Sequence, residues 1–324
     1  MQLNLPILEA LANSHTILIA GAGGGQDVLA GLPLYFTLRE HGKTVHLANY
    51  TFGDLNLAAD ICEAEELAEG LVVGARGNVH IPIPYFPEGY LAQWFQEKVG
   101  LDVTVWMLCH TGVAPLTQAY QRLWEHLRFD ALVLVDGGVD SIMRGDEYGA
   151  GTLVEDTISL AAAQTLDPAA VPVKILACIG FGTEVEEMVC HYSALENMAA
   201  LAREGALYGV CALTPQMQAF QMYELAARYI WDQPNHPKSH ISTRIIPAAR
   251  GEFGDHHLYN DDRATQVLIS PLMALYWFFN ADTVVQRSLI APLIRDTITT
   301  SDAFRIVMRY TQTVNARRRR ALPY

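Results

Sequence analysis

The chain has 324 residues, 51% of them hydrophobic and 18% charged, with a formal net charge of -13. That length and apolar content supply a sizeable core and exclude a disordered chain. The acid excess works against a nucleic-acid surface, which needs a basic face to meet phosphates.

In chain order, the opening "MQLNLPILEALANSH" lacks a cationic stretch followed by a sustained apolar run, so no signal peptide is expected. No apolar run reaches the roughly 18 residues of a spanning helix, so the expectation is a cytoplasmic protein with no membrane partner. The five cysteines, Cys62, Cys109, Cys178, Cys190 and Cys211, are odd in number and form no C-x-x-C pair, which suits reduced thiols. Strands are predicted at "TILIA" (16–20), "TVHLA" (44–48), "VHIPI" (79–83), "VTVWML" (103–108), "ALVLV" (131–135), "VKILA" (173–177) and "YGVCAL" (208–213). Between them, 27–42, 88–100, 114–128, 153–166 and 184–205 carry helical periodicity, several ending at glycine. Alternation of this kind predicts a doubly wound, Rossmann-like α/β fold: a mostly parallel sheet with helices on both faces.

Beyond residue 214 the strand signal fades, and 215–231, 270–296 and 302–320 read as helices. The polar connector "DQPNHPKSH" (232–240) is the best boundary, dividing an α/β core (1–231) from a mainly helical C-terminal region (241–324) that packs on it or joins it in one domain. The apolar run "MALYWFF" is either core or a surface for self-association into a homo-oligomer. The basic cluster Arg317 to Arg320 reads as a solvated helix end or a clamp on a neighbouring subunit.

Two loops after strands draw attention, because ligands of open parallel sheets bind at the C-terminal strand edge. In "TILIAGAGGGQDVLAGLP" a strand runs into Gly21, Gly23, Gly24 and Gly25 and then a helix, so bare backbone N–H groups can approach a phosphate or carboxylate. The loop continues Gln26-Asp27 where a P-loop needs Gly-Lys-Ser/Thr, which argues against a P-loop NTPase. Asn49 stands where a dinucleotide site places an acid for the ribose. Asp27 either faces the ligand or only complements the helix dipole.

The second loop packs Asp136, Asp140, Asp146 and Glu147 with Gly137, Gly138 and Gly145 into twelve residues after "ALVLV". So many carboxylates beside a strand end need a positive or hydrogen-bonding partner: Arg144, a divalent metal such as Mg²⁺ on Asp136 and Asp140, or a cationic or polyhydroxylated substrate. Asp136 and Asp140 are therefore the candidate metal-binding or acid–base pair, with Gly137, Gly138 and Ser141 beside the ligand. The blander alternative is turn capping and solvated surface charge. "GTLVED" fits a capping box of Thr152 and Glu155, which makes Glu155 structural. His110 follows another strand and is a candidate proton carrier. Gly182 marks a turn at a further edge, where Glu184, Glu186 and Glu187 load a helix start and Glu187 pairs with His191 at i, i+4 spacing. The loop 249–263 reads as a surface loop or a lid.

"GAGGGQD", then "VDGGVDSIMRGDE", then "GTLVED", with "SPLMALYWFF" late in the chain, together resemble an uncharacterised prokaryotic domain-of-unknown-function family, number 1152. The resemblance extends along the chain, with "DGGVDS" followed by "GDE" its most specific part. It implies an α/β protein and no activity. From local chemistry, the expectation is a small-molecule enzyme, a hydrolase or transferase, that docks a phosphate-, nucleotide- or carboxylate-bearing ligand on the glycine loop. The alternatives are a nicotinamide- or adenosylmethionine-dependent enzyme and a metabolite-binding sensor or assembly module without turnover.

Overall fold

A computed structural model describes residues 6–184, 188–259 and 266–322. The strands are β1 (Thr16–Gly21), β2 (Thr44–Tyr50), β3 (Ala64–Ala68), β4 (Val72–Ala75), β5 (Val105–Leu108), β6 (Ala131–Asp136), β7 (Val173–Ile179), β8 (Leu207–Ala212), β9 (Gly254–Asp255), β10 (Leu268–Ile269) and β11 (Leu275–Asn280). Among the described residues nine of them form one sheet in the order β3-β4-β5-β2-β1-β6-β7-β11-β8, with β9 and β10 a separate antiparallel pair.

The five central strands, β5-β2-β1-β6-β7, are parallel. From β1 the chain steps outward through β2 to β5, then returns to the other side of β1 for β6 and β7. That reversal opens a crevice at the C-terminal ends of β1 and β6, the switch point where doubly wound sheets bind ligands. Both faces are covered, which is why β6, "ALVLVD", is buried at every position rather than alternating. Along β1, Ile17 and Ile19 join the core beneath the helices Leu32–Glu40, Pro87–Trp94 and Gln218–Trp231. Leu18 and Ala20 join the opposite core, beneath Val113–Leu127, Leu153–Gln164 and Thr300–Thr313. Each buried Ile or Leu contributes about 1.5–3 kcal/mol, so the switch point stands on strands anchored in both cores.

The parallel core matches expectation; the sheet edges do not. "VHIPI" is loop, because Pro82 and Pro84 have no N–H for a ladder. That edge is instead the hairpin β3–β4, antiparallel to β5 and turning at Gly70 with a φ of 64°. At the other edge "LYWFFN" is strand β11, not part of one helix over 270–296. It lies antiparallel between β7 and β8, sending Tyr276 and Phe278 into one core and Phe279 into the other. Bulky aromatics fit a pleated surface covered on both sides, and the apolar run "MALYWFF" is largely spent inside the fold. The remainder of the C-terminal region is mainly helical, including Ala281–Arg287 and Thr300–Thr313. The helix expected from 184 starts at His191. Glu186 and Glu187, and with Glu187 its pairing to His191, lie outside the described residues, as do 260–263 of the loop 249–263. No helix among the described residues is long and apolar enough to cross a membrane.

Candidate functional site

The glycine loop and the acidic loop meet at the switch point, around a cavity of about 420 Å³. Its walls include Gly23 to Gly25, Asp27, Phe52, Tyr85, Asp136, Gly137, Asp140, Thr152, Glu155, Asp156, Glu184 and residues 237–241. Six carboxylates therefore face one small space.

The glycine loop presents its own carboxylate rather than bare amides. Gly23 N donates to Asp27 Oδ2 at 2.9 Å, and Gly137 N, from the other loop, bonds the same carboxylate. The Gly23 amide, expected to help hold a ligand's phosphate, is thus occupied by Asp27. The loop is held from behind by Asn49, which is completely buried. Its Oδ1 accepts from Val28 N at 3.3 Å, and its Nδ2 donates to Gly25 O at 3.0 Å and to Glu88 Oε1 at 2.6 Å. Asn49 is a brace and does not reach the cavity, a correction to its place among candidate ligand contacts. Gly21 is needed for this closeness, since a Cβ there would lie 2.2 Å from Asn49 Oδ1.

Asp136 ends β6. Ser141 binds its Oδ2 through both hydroxyl and backbone N, the latter at 3.4 Å. Ser141 is buried behind Asp136 and supports it instead of meeting a ligand. Asp140 Oδ2 accepts from Thr152 N at 2.6 Å and from its hydroxyl at 2.8 Å. Glu184 takes the Val139 N–H at 2.8 Å and lies close to Asp140, whose charge, after burial, helps hold the Glu184 carboxyl well above its usual range. Gly138 makes room for that contact: a Cβ there would be 2.4 Å from the Glu184 carboxyl carbon. Asp156 comes from the helix Leu153–Gln164. One turn further along, the Ser159 hydroxyl donates to Ala22 O at 2.6 Å, and i, i+3 residues share a helix face. That clamp sets Asp156 beside the glycine loop, where its Oδ1 would lie 3.0 Å from a Cβ on Gly23.

Asp27, Asp136 and Asp156 each bring one oxygen within 4.8 Å of the others. Asp156 is 1% exposed and its Oδ1 has no hydrogen-bond partner, a costly state for a buried carboxylate unless a ligand completes it. Burial pushes the Asp27 carboxyl up to about 7, with Asp140 adding to the effect. Burial first, and then the charges of neighbouring carboxylates, push Asp136, Asp156 and Glu184 well above the usual range. Glu155 rises to about 7, again chiefly by burial. The cluster therefore holds protons near neutral pH or exchanges them for a cation. Oxygens within 4.8 Å of one another are close enough to share one cation, and an ion with bonds of about 2.3–2.6 Å asks less closing of the carboxylates than Mg²⁺ at about 2.0–2.1 Å.

Several expected residues lie elsewhere. His110 is exposed and packs on Phe52 at 4.8 Å and Tyr50 at 5.1 Å; Phe52 lines the cavity and His110 does not. Gly182, with a φ of 93°, turns the chain after β7 near Met273 and His191 and does not line it either. Asp146 and Glu147 face away. Arg317 donates to Asp146 Oδ1 at 2.9 and 3.1 Å and also binds Glu147 and Glu196, so one residue of the basic cluster clamps its own chain. Arg144 lies there too, its N–H on Glu147 at 3.0 Å.

Sequence reasoning passed over Asp156, Glu155 and Glu184 as site residues. The Thr152 hydroxyl binds Asp140, so no capping box forms, and Glu155 Oε2 is left without a partner on the cavity wall. A signal existed: in "LVEDTISLAAA" Asp156 and Ser159 are polar residues at i, i+3 spacing on a helix whose other positions are mostly apolar. The connector 232–240 is also a wall, tied to the glycine loop by Gln26 Nε2 donating to Pro237 O at 2.9 Å.

Comparison with curated proteins and with solved structures gave no match. One family model matches residues 89–314, which include Asp136, Asp140, Glu155, Asp156 and Glu184 and leave the glycine loop and Asp27 outside the matched segment. With more than half its length matched, the chain belongs to the family described as "Protein of unknown function (DUF1152)".

Proposed function

We propose that this chain is a cation-dependent small-molecule enzyme. Asp27, Asp136 and Asp156 hold a divalent metal, and a phosphate- or carboxylate-bearing ligand completes the coordination from the cavity. The observation that carries this reading is the buried, unpartnered Oδ1 of Asp156 among the three converging aspartates. An anion alone is disfavoured by six surrounding carboxylates, and a cation removes the conflict. Hydrolysis or group transfer is the reaction class such a site favours, because a bound metal polarises a phosphoryl or carbonyl oxygen. Glu155 suits the proton-moving role better than His110. Its carboxyl sits near pH 7 and its Oε2 is uncommitted on the cavity wall.

A nicotinamide cofactor finds no support in Asn49, which is buried where the ribose acid would stand. A sensor without turnover would use the same cation site and differ only in leaving its ligand unchanged.

The test is titration of chelator-treated protein with Mn²⁺, followed by electron paramagnetic resonance. One tight Mn²⁺ per chain in the native protein, lost in Asp156→Asn and in Asp27→Asn with the fold retained by circular dichroism, is the expected result. Equal Mn²⁺ binding in all three proteins, or none in the native one, would sink the proposal.

A further inference from the structure

The two sides of the cavity differ in chemistry. On the β6 side stand the carboxylates. On the β2 side stands Phe52, two residues beyond β2, packed on Gly24 while Asp156 lies by Gly23; Tyr85 lines the same cavity. Phe52 is 49% exposed, an aromatic face turned to the cavity that the carboxylates also line. Its ring is nonetheless held: it packs on Gly24, where a Cβ would lie 2.4 Å away, and His110 meets it edge-on at 4.8 Å. Gly24, at a φ of 90°, is the residue type this conformation and this ring both require. Tyr85 is fixed by parallel stacking on the buried His236 at 5.7 Å, and Tyr90 holds His236 in turn from its edge at 5.6 Å. The Tyr85 hydroxyl has no hydrogen-bond partner.

We infer that the ligand of this cavity carries a planar heteroaromatic ring of the nucleobase class, lying on Phe52 with the Tyr85 hydroxyl as its polar contact, while its phosphate meets the cation. The inference rests on the cation reading above and narrows its ligand class. A small phosphate or bare sugar phosphate would use the acidic side alone and leave both aromatic rings without a function. A nucleotide spans the glycine loop and uses both sides. Stacking on an aromatic ring is sequence-tolerant and separable from phosphate contacts.

Isothermal titration of the Mn²⁺-loaded protein with adenosine, guanosine, cytidine and uridine 5'-monophosphates, and with ribose 5-phosphate, tests it. At least one nucleotide should bind about tenfold or more tighter than ribose 5-phosphate. Phe52→Ala should erase that difference while leaving Mn²⁺ stoichiometry and ribose 5-phosphate affinity intact, and Phe52→Trp should restore it. Tyr85→Phe should weaken the preferred nucleotide a few-fold and spare ribose 5-phosphate. The inference is overturned if no nucleotide outbinds ribose 5-phosphate on protein that holds Mn²⁺, or if Phe52→Ala weakens both ligands equally. Failure to bind Mn²⁺ would instead strike the cation reading, and this inference with it.

Discussion

The acidic stretch 136–147 sends its carboxylates to two places that treat them oppositely. Asp146 and Glu147 meet Arg317, and Glu147, with its side chain fully buried, also accepts from Gly145 N at 2.8 Å and from Asn197 Nδ2 at 2.8 Å. Asp136 and Asp140 enter a cavity where the charges acting on Asp136 come from other carboxylates. One group is completed by the protein itself. The other has, in Asp156 Oδ1, a buried oxygen with no partner in the protein, the opening that the proposed cation would fill. Residue type and neighbourhood in sequence are nearly the same, so what separates the two groups is whether the fold itself brings a cation to them.

The largest expected effect breaks the completed group. Arg317→Met strands Glu147 as a buried, uncompensated charge and should cost about 3–5 kcal/mol in chemical denaturation, with Glu147→Gln in the same chain recovering part of it. An unchanged midpoint would show that the two groups do not differ as described. Second, the cavity group should respond in the opposite way. Without metal, Asp156→Asn should match or exceed the native protein in thermal stability, because it relieves like-charge repulsion. With Mn²⁺ at a hundred times its dissociation constant, only the native protein should gain, by about 2.7 kcal/mol.

Third, pH should sharpen the contrast. The Asp27 carboxyl is raised from its usual value to about 7, so between about pH 4 and 7 the folded, metal-free chain holds a proton the unfolded chain has lost. Stability from this group is complete below about pH 4 and is lost as pH rises through 7, at up to about 1.4 kcal/mol per pH unit for each such proton. Mn²⁺ replaces the protons, so stability curves measured with chelator and with Mn²⁺ should diverge as pH rises; parallel curves would refute it. Fourth, Gly23→Ala would set a methyl 2.9 Å from Asp27 Oδ2 and 3.0 Å from Asp156 Oδ1. It should weaken Mn²⁺ about tenfold or more with little change in metal-free stability. The smallest effect belongs to His110→Ala, which should leave Mn²⁺ affinity unchanged and shift stability by less than about 0.5 kcal/mol. A large loss of metal affinity there would return His110 to the site.

The parallel core was legible because its strands are largely apolar runs bounded by turn-forming or polar residues, a pattern set by burial on both faces. The same logic located both loops, and Asp27, Asp136 and Asp140 do line one cavity. The sheet edges were harder. β3, "AEELA", is half-exposed and rich in glutamate, and β11 is apolar enough to pass for a helix. Its true period shows only when cores exist on both sides of it. Asp156 and Glu155 were hidden by their position in a helix start, where acids usually complement the dipole.

By itself, then, the chain's pattern of apolar runs, glycines and acids determined the parallel sheet and the edge at which chemistry is possible, since both follow from local burial and backbone freedom. Which carboxylates converge, and which are neutralised, was decided only by tertiary structure. Arg317 lies 170 residues from Glu147, and Ser159 bonds a carbonyl 137 residues away to set Asp156 in place. Charge compensation depends on distance in space, and no spacing along the chain encodes it.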